Sequence, residues 1–208
     1  KARLIHISTD YVFNGESGQP YLETDAPNPI NTYGKTKLAG EKALQEIMPT
    51  DAVIIRTSWL YSEFGSNFVK TILRLIKERS VLEVVKDEIG SPTYATDFAE
   101  FLIAMVNDKG FSSVKNRQDT RVYHYSNKGG CSRYTFAKEI LRVSKIKCKI
   151  KPIYSDQFFT SAKRPKNTVL SYKNTEEKFG IAFKNWIESY QKMSISINES
   201  RLLNDERK

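Results

Sequence analysis

The chain has 208 residues, 39% hydrophobic and 12% aromatic, enough for one sizeable core or for one domain with a smaller lobe attached. No uninterrupted apolar stretch approaches the length that spans a bilayer, and the formal net charge of +9 is scattered rather than gathered into a basic block or helix face. Composition therefore argues against a membrane-spanning or nucleic-acid-binding protein, while the general positive potential favours small anionic ligands such as nucleotides.

In chain order, residues 3 to 7 read as a strand, followed by a polar loop rich in Gly, Pro and Asn from Asn14 to about Asn31. A helix is predicted next, capped by Asn31 or Thr32, with Gly40, Ala43, Leu44 and Ile47 recurring at helical spacing. Ala52 to Thr57 is the second strand. The segment SNFVKTILRLIKER places Phe68, Ile72, Leu75 and Ile76 on one helical face, with Ser66 as its cap. Val81 to Val85 is a short strand, and after the loop SPTYATD a helix presents Phe98, Leu102, Met105 and Val106.

Arg121 to Ser126 is predicted as a strand, then a Gly129-Gly130 turn and a helix with Phe136, Ile140 and Val143 on one face. Lys149 to Ile153 is a further strand, leading into a loop that holds Lys163, Arg164 and Pro165. A short helix over Asn174 to Phe179 carries Asn174 and Glu177 as a variant capping box, and a final helix presents Phe183, Trp186, Ile187 and Tyr190. Beyond Met193 the composition turns polar and a frayed tail is expected. Strands alternating with helices imply parallel βα units. Cys131 and Cys148 have neither metal-ligand spacing nor a disulfide framework, and no signal or transit pattern is seen, which fits a cytoplasmic setting.

The first strand runs into STDYVFNG, a set of hydroxyls, a carboxylate and a phenol. In a parallel sheet, residues just past a strand's carboxyl end face the crevice where ligands bind, although Ser8, Thr9 and Asp10 are equally suited to capping a turn. The following helix holds TYGKTKLAGEK, in which Tyr33 and Lys37 lie one turn apart on one face. A cation beside a phenol favours the phenolate, so the pair suits acid–base work in carbonyl reduction, with Tyr33 as proton donor. The same spacing recurs at Tyr134 and Lys138, but only the first pair has a hydroxyl, Thr9, at a strand end; the corresponding position before Tyr134 is Gly110, in a loop. The second pair reads as an ordinary helix with one buried and one exposed residue. His6, inside an apolar strand, reads as a satisfied core histidine rather than a base. Trp59 is either core or a ligand contact beyond a strand end. Lys163 and Arg164 are either diphosphate contacts or residues of an exposed loop.

The strings STDYVFNG, PYLETDAPNPINTYGKTKLAGEKAL, RTSWLYSEFGSNFV and SPTYATDFA together resemble the dTDP-4-dehydrorhamnose reductases, within the extended short-chain dehydrogenases/reductases. The resemblance runs to about Ile187. It implies an α/β fold: the C-terminal part of a Rossmann-like doubly wound parallel sheet plus a small mixed α/β substrate-binding lobe. Residues 1–150 would hold the remaining part of the NAD(P)-binding domain with interleaved lobe segments, 151–193 the substrate-binding lobe and 194–208 the polar tail. The implied activity is NADPH- or NADH-dependent reduction of the 4-keto group of dTDP-4-dehydro-L-rhamnose to dTDP-L-rhamnose, a step in making an activated cell-surface sugar. Thr9 would hydrogen-bond the keto oxygen, Tyr33 would donate the proton, and Lys37 would hold the nicotinamide ribose. Asp10 and Trp59 would contact the dTDP-sugar. The resemblance also admits Mg²⁺ at a dimer contact, and hence a homodimer, but no carboxylate cluster places a metal.

One element departs from that pattern. No glycine-rich turn for a dinucleotide pyrophosphate precedes Ser8, so the chain is expected to be a fragment of a reductase, in preference to a natural short product that has lost the cofactor half, and, by itself, inactive and prone to aggregate. The competing readings are a nucleotide-sugar epimerase or dehydratase, and a non-catalytic subunit resembling the regulatory subunit of methionine adenosyltransferase.

Overall fold

The computed structural model describes residues 2–108 and 121–205, and side chains as far as residue 196. Gly110 lies outside the described residues. Along the chain run β1 (Leu4–Thr9), a one-turn 3-10 helix (Asp10–Val12), α1 (Thr32–Ile47), β2 (Ala52–Thr57), β3 (Leu60–Tyr61) and α2 (Phe68–Glu78). They are followed by β4 (Val81–Val85), β5 (Ile89–Gly90), β6 (Thr93–Tyr94), α3 (Ala95–Asn107), β7 (Arg121–Tyr125) and β8 (Cys131–Ser132). The remainder is α4 (Arg133–Ser144), β9 (Lys149–Ile153), a second 3-10 turn (Ser155–Gln157), α5 (Lys173–Phe179) and α6 (Trp186–Asp205).

The main sheet is parallel, in the order β1-β2-β7. Because side chains alternate across a strand, its two faces have different chemistry. Ile5, Ile7, Val53, Ile55, Tyr123 and Tyr125 form one face, packed against Phe98, Phe101 and Met105 of α3. The other face presents Ser8, Arg56 and His124 side by side in register, and α1 covers it. Helices on both faces make this a doubly wound α/β arrangement. A second, parallel pair, β4 with β9, packs with α2 and α4 around a separate core that includes Val69, Ile72, Phe136 and Ile140.

The polar face of the sheet is held by a buried ion pair. Glu41 of α1 is 1% exposed and accepts from Arg56 Nη2 at 2.7 Å and Arg56 Nε at 3.0 Å, while the Ser8 hydroxyl donates to the same carboxylate. Three elements, α1, β1 and β2, thus meet at one carboxylate. The adjacent His124 is also enclosed, and burial together with the Arg56 charge pushes its pKa down to about 3, so the imidazole stays neutral.

Several local expectations are corrected. The α1 face containing Ala43 and Ile47 is not core: Ile47 is 78% exposed, because the helix is seated through Gly34 and Glu41 instead. Asn67, not Ser66, caps α2, its side chain accepting from Lys70 N at 3.1 Å. In α3, Phe101 is buried and Val106 is exposed, and in α4 Ala137 joins Phe136 and Ile140 in the core. The SPTYATD segment contains β6 and the start of α3 rather than a plain loop. Helix α5 starts at Lys173 with no side-chain cap, so Asn174 lies within it, and Phe183 precedes α6. The helix α6 continues to Asp205 where fraying is expected, since no Gly or Pro follows Gly180 to interrupt it. His6 is half-buried against Gly40, and its Nε2 has no hydrogen-bond partner among the described residues, so it is not a satisfied core histidine. Among the described residues no helix is long and apolar enough to cross a membrane.

Removing one partner of a buried ion pair leaves the other charge uncompensated, at a cost of about 3–5 kcal/mol. Glu41→Ala is therefore expected to lower unfolding stability by roughly that amount in urea titrations. A loss under about 1 kcal/mol, the value of an exposed pair, would show that the carboxylate does not hold the three elements together.

Candidate active site

The sheet's carboxyl edge opens into a cavity of about 270 Å³ whose walls include Thr9, Asp10, Tyr33, Lys37, Trp59 and Thr57. All five residues singled out in the sequence as site residues are thus brought together. Helix α1 presents Tyr33 and Lys37 there because its first turn is seated closely on the turn after β1. A Cβ on Gly34 would lie 2.1 Å from the Tyr11 carbonyl oxygen, an approach only glycine permits. Asn31 fixes the helix start: its Oδ1 accepts from Gly34 N at 2.8 Å, and its Nδ2 donates to the Lys163 carbonyl at 3.0 Å.

The groups differ in accessibility. Tyr33 is 55% exposed, its ring edge-on to Tyr11 with centroids 6.0 Å apart. Lys37 Nζ donates to the Ile7 carbonyl at 2.5 Å, which uses one of an ammonium's three donors. Thr9 and Asp10 are buried. Thr9 Oγ1 accepts from Tyr11 N at 3.2 Å and donates to Asp10 Oδ1 at 3.1 Å, while Thr168 Oγ1 donates to Asp10 Oδ2 at 2.5 Å. Burial pushes the Asp10 carboxyl up to about 6 against the lowering effects of these hydroxyls and of the Arg133 charge. Asp10 is therefore both a turn residue and part of the cavity wall.

Trp59 has a left-handed backbone, φ +43°, which turns its indole back over the strand end. The indole lies on Gly90, where a Cβ would come within 2.5 Å of Trp59 Cε2, and the Arg133 guanidinium sits 4.1 Å from the ring centroid. Arg133 is anchored to Glu88 at 3.1 Å, and Arg164 approaches the same carboxylate at 3.7 Å. Arg133 and Arg164, with Arg79 and Phe158, line a larger cavity of about 740 Å³ along β4, and the stack of Arg133 on Trp59 couples a wall of that cavity to a wall of the smaller one. Lys163 does not line either cavity wall; it is exposed and contributes its carbonyl to Asn31. Tyr134 and Lys138 lie on α4, one partly buried and one exposed, as an ordinary helical pair.

Reading the sequence alone misses Glu41, Arg133 and Thr168. Glu41 had a signal, since it follows Lys37 by one further helical turn on the same face. Arg133 and Thr168 had none, because both reach the site from elements distant in the chain. Among the described residues no group of three or more His, Cys, Asp or Glu side chains could hold a metal ion.

The family model described as the RmlD substrate binding domain matches residues 1–198. The chain belongs to that family. It is 42% identical over 188 residues to the spore coat polysaccharide biosynthesis protein SpsK of Bacillus subtilis, covering 90% of this chain and 62% of that protein. Among solved structures, a dTDP-4-dehydrorhamnose reductase of Clostridium acetobutylicum superposes with a TM-score of 0.86 at 38% identity, covering 95% of this chain and 66% of the other. One from Bacillus anthracis, in complex with NADP, gives 0.82 at 40% identity, covering 94% and 66%. The chain thus spans just under two thirds of the length of these relatives. Its doubly wound sheet is the Rossmann-like architecture that they share.

An alanine at Gly90 has to displace the Trp59 indole, and overpacking of this kind costs about 1–3 kcal/mol. Gly90→Ala is expected to shift tryptophan emission to longer wavelength while the far-ultraviolet circular dichroism is kept; Trp186, the second tryptophan, is buried and is not touched by the added methyl group. Unchanged emission would show that the indole does not depend on this glycine.

Proposed function

We propose that this RmlD-family chain forms the substrate side of a cytoplasmic NADPH- or NADH-dependent reductase that converts the 4-keto group of dTDP-4-dehydro-β-L-rhamnose to the alcohol of dTDP-β-L-rhamnose. The observation that carries the reading is the convergence of Thr9, Tyr33 and Lys37 on one cavity, with Trp59 opposite and an arginine-lined cavity adjoining it. The family's named reductases, one with NADP bound, supply the reaction class.

The residues present fit the nicotinamide end of such a cofactor. Lys37 keeps two ammonium donors beyond its bond to Ile7, suited to ribose hydroxyls, and Tyr33 is open at the cavity mouth. A dihydronicotinamide held by Lys37 and Tyr33 would supply the hydride for the keto carbon. Tyr33 then delivers its phenolic proton to the oxygen on which negative charge develops, and Lys37 favours the resulting phenolate. Thr9 orients the same oxygen by hydrogen bonding, and Trp59 forms a flat wall for the sugar. Arg133 and Arg164 suit the diphosphate, since a guanidinium fork matches phosphate oxygens, and the 740 Å³ cavity has the size of a small-molecule site for the nucleoside. This reading calls for no metal.

In the protein that contains this chain, Tyr33→Phe is expected to lower turnover about 10²- to 10⁴-fold while cofactor affinity is nearly kept, because a proton donor is lost with little packing. Stopped-flow NADPH oxidation with the dTDP-keto sugar reads the first quantity and fluorescence titration the second. Turnover close to the parent's would sink the assignment of Tyr33. Lys37→Met should weaken both cofactor binding and turnover, and an unchanged cofactor affinity would contradict the double role of the ammonium.

A further inference from the structure

The Thr9 hydroxyl has one hydrogen to give, and its direction decides whether it can serve a ligand. In the structure that hydrogen is directed at Asp10 Oδ1, and the Thr9 oxygen accepts from Tyr11 N. Asp10 is only 2% exposed, and its second oxygen is taken by Thr168, itself 1% exposed. Thr168 comes from a strand-like segment pinned on both sides: Thr168 N donates to the Ile89 carbonyl at 2.9 Å, and Asn167 N to the Gly15 carbonyl at 3.1 Å. The carboxyl is thus enclosed between a hydroxyl of the cavity and a hydroxyl of a remote segment. No water is needed to complete its bonding.

Resting on the reductase reading above, we infer that Asp10 is a positioning residue that sets the direction of the Thr9 hydroxyl by its own protonation, with Thr168 tuning it. When Asp10 is ionised, it accepts the Thr9 hydrogen and draws it away from the cavity. When Asp10 is protonated, the carboxyl O–H donates to Thr9 Oγ1, which still accepts from Tyr11 N. The Thr9 hydrogen is then released towards a keto oxygen. Asp10 takes up one proton from solvent in this change and returns it on ionisation; the Thr9 hydrogen stays on its own oxygen throughout, and only the acceptor it points to changes.

The charged and titratable groups around Asp10 are consistent with a protonation change in an accessible range. Arg133 of α4 favours the carboxylate but is itself engaged by Glu88 and stacked on Trp59. Tyr11 follows Asp10 in the same turn and has its own pKa raised, chiefly by burial, while Arg164 and Arg133 act on that phenol in the opposite sense. Tyr33 and Lys37 of α1 face the same cavity. Against the two hydroxyl donors and Arg133, burial prevails and holds the carboxyl near 6.

The test is the pH dependence of kcat/KM for NADPH oxidation with the dTDP-keto sugar, measured on the protein containing this chain. The native enzyme is expected to lose kcat/KM as pH rises through about 6, approaching tenfold per unit. Asp10→Asn keeps an N–H donor towards Thr9 and an acceptor for Thr168 but cannot ionise, so that decline should vanish. Thr168→Val removes a donor that favours the carboxylate, so the decline should move to higher pH. A decline that persists in Asp10→Asn, or does not move in Thr168→Val, overturns the inference, as does a native profile without it. Absence of NADPH oxidation at every pH would instead count against the reductase reading. In that case, side-chain carbon NMR of Asp10 still decides the local claim: a midpoint near 6 that rises in Thr168→Val and in Thr9→Val supports the coupled hydroxyls, and an ordinary carboxylate midpoint refutes them.

Discussion

The candidate site depends on the bond between Glu41 and Arg56. Buried ion pairs add little net stability, because taking two charges out of water costs about as much as their attraction returns, but they are demanding in geometry. Here the demand is for register. The carboxylate on α1 has to meet a guanidinium on β2 and a hydroxyl on β1, and only one rotation and one axial position of the helix satisfy all three. Tyr33, Lys37 and Glu41 succeed one another by single helical turns. Fixing the third places the first two at the carboxyl edge of β1, beside Thr9.

The two faces of the central sheet divide the work. The face towards α3 is apolar and supplies the bulk of the burial through Phe98, Phe101 and Met105. The face towards α1 carries Ser8, Arg56 and His124, and a helix seated on apolar side chains alone could slide or roll there at little cost. His124 is kept neutral by burial and by the neighbouring guanidinium, so a second cation does not compete with Arg56 for Glu41. Close contact at Gly34 then locks the end of α1 that carries the phenol.

The remainder of the site is contributed from a distance. Trp59 has a left-handed backbone and lines the small cavity, its indole fits the space that Gly90 leaves, and Arg133, which lines the larger cavity, stacks over it from α4. Thr168 reaches Asp10 across more than half of the chain. Under the function proposed above, a sugar nucleotide would lie along both cavities, and the β4–β9 lobe would then belong to the same site as the sheet edge.

By itself the sequence determined the alternation of strands and helices, since apolar periodicity and caps such as Asn31 are local properties; β2, β4 and β9 lie where their apolar runs place them. It also set Thr9 at a strand end and Tyr33 and Lys37 one helical turn apart, and the fold brings all three to one cavity, while the motif strings point to the family that the chain matches. Only the tertiary structure decided which face of α1 is buried, where periodicity selects Ala43 and Ile47 and the buried charge of Glu41 selects another. It alone showed the Asp10 carboxyl enclosed by Thr168, and Arg133 stacked on Trp59 while sharing Glu88 with Arg164. Those features join residues far apart in the chain through hydrogen bonds and charge, which leave no repeating pattern in a sequence.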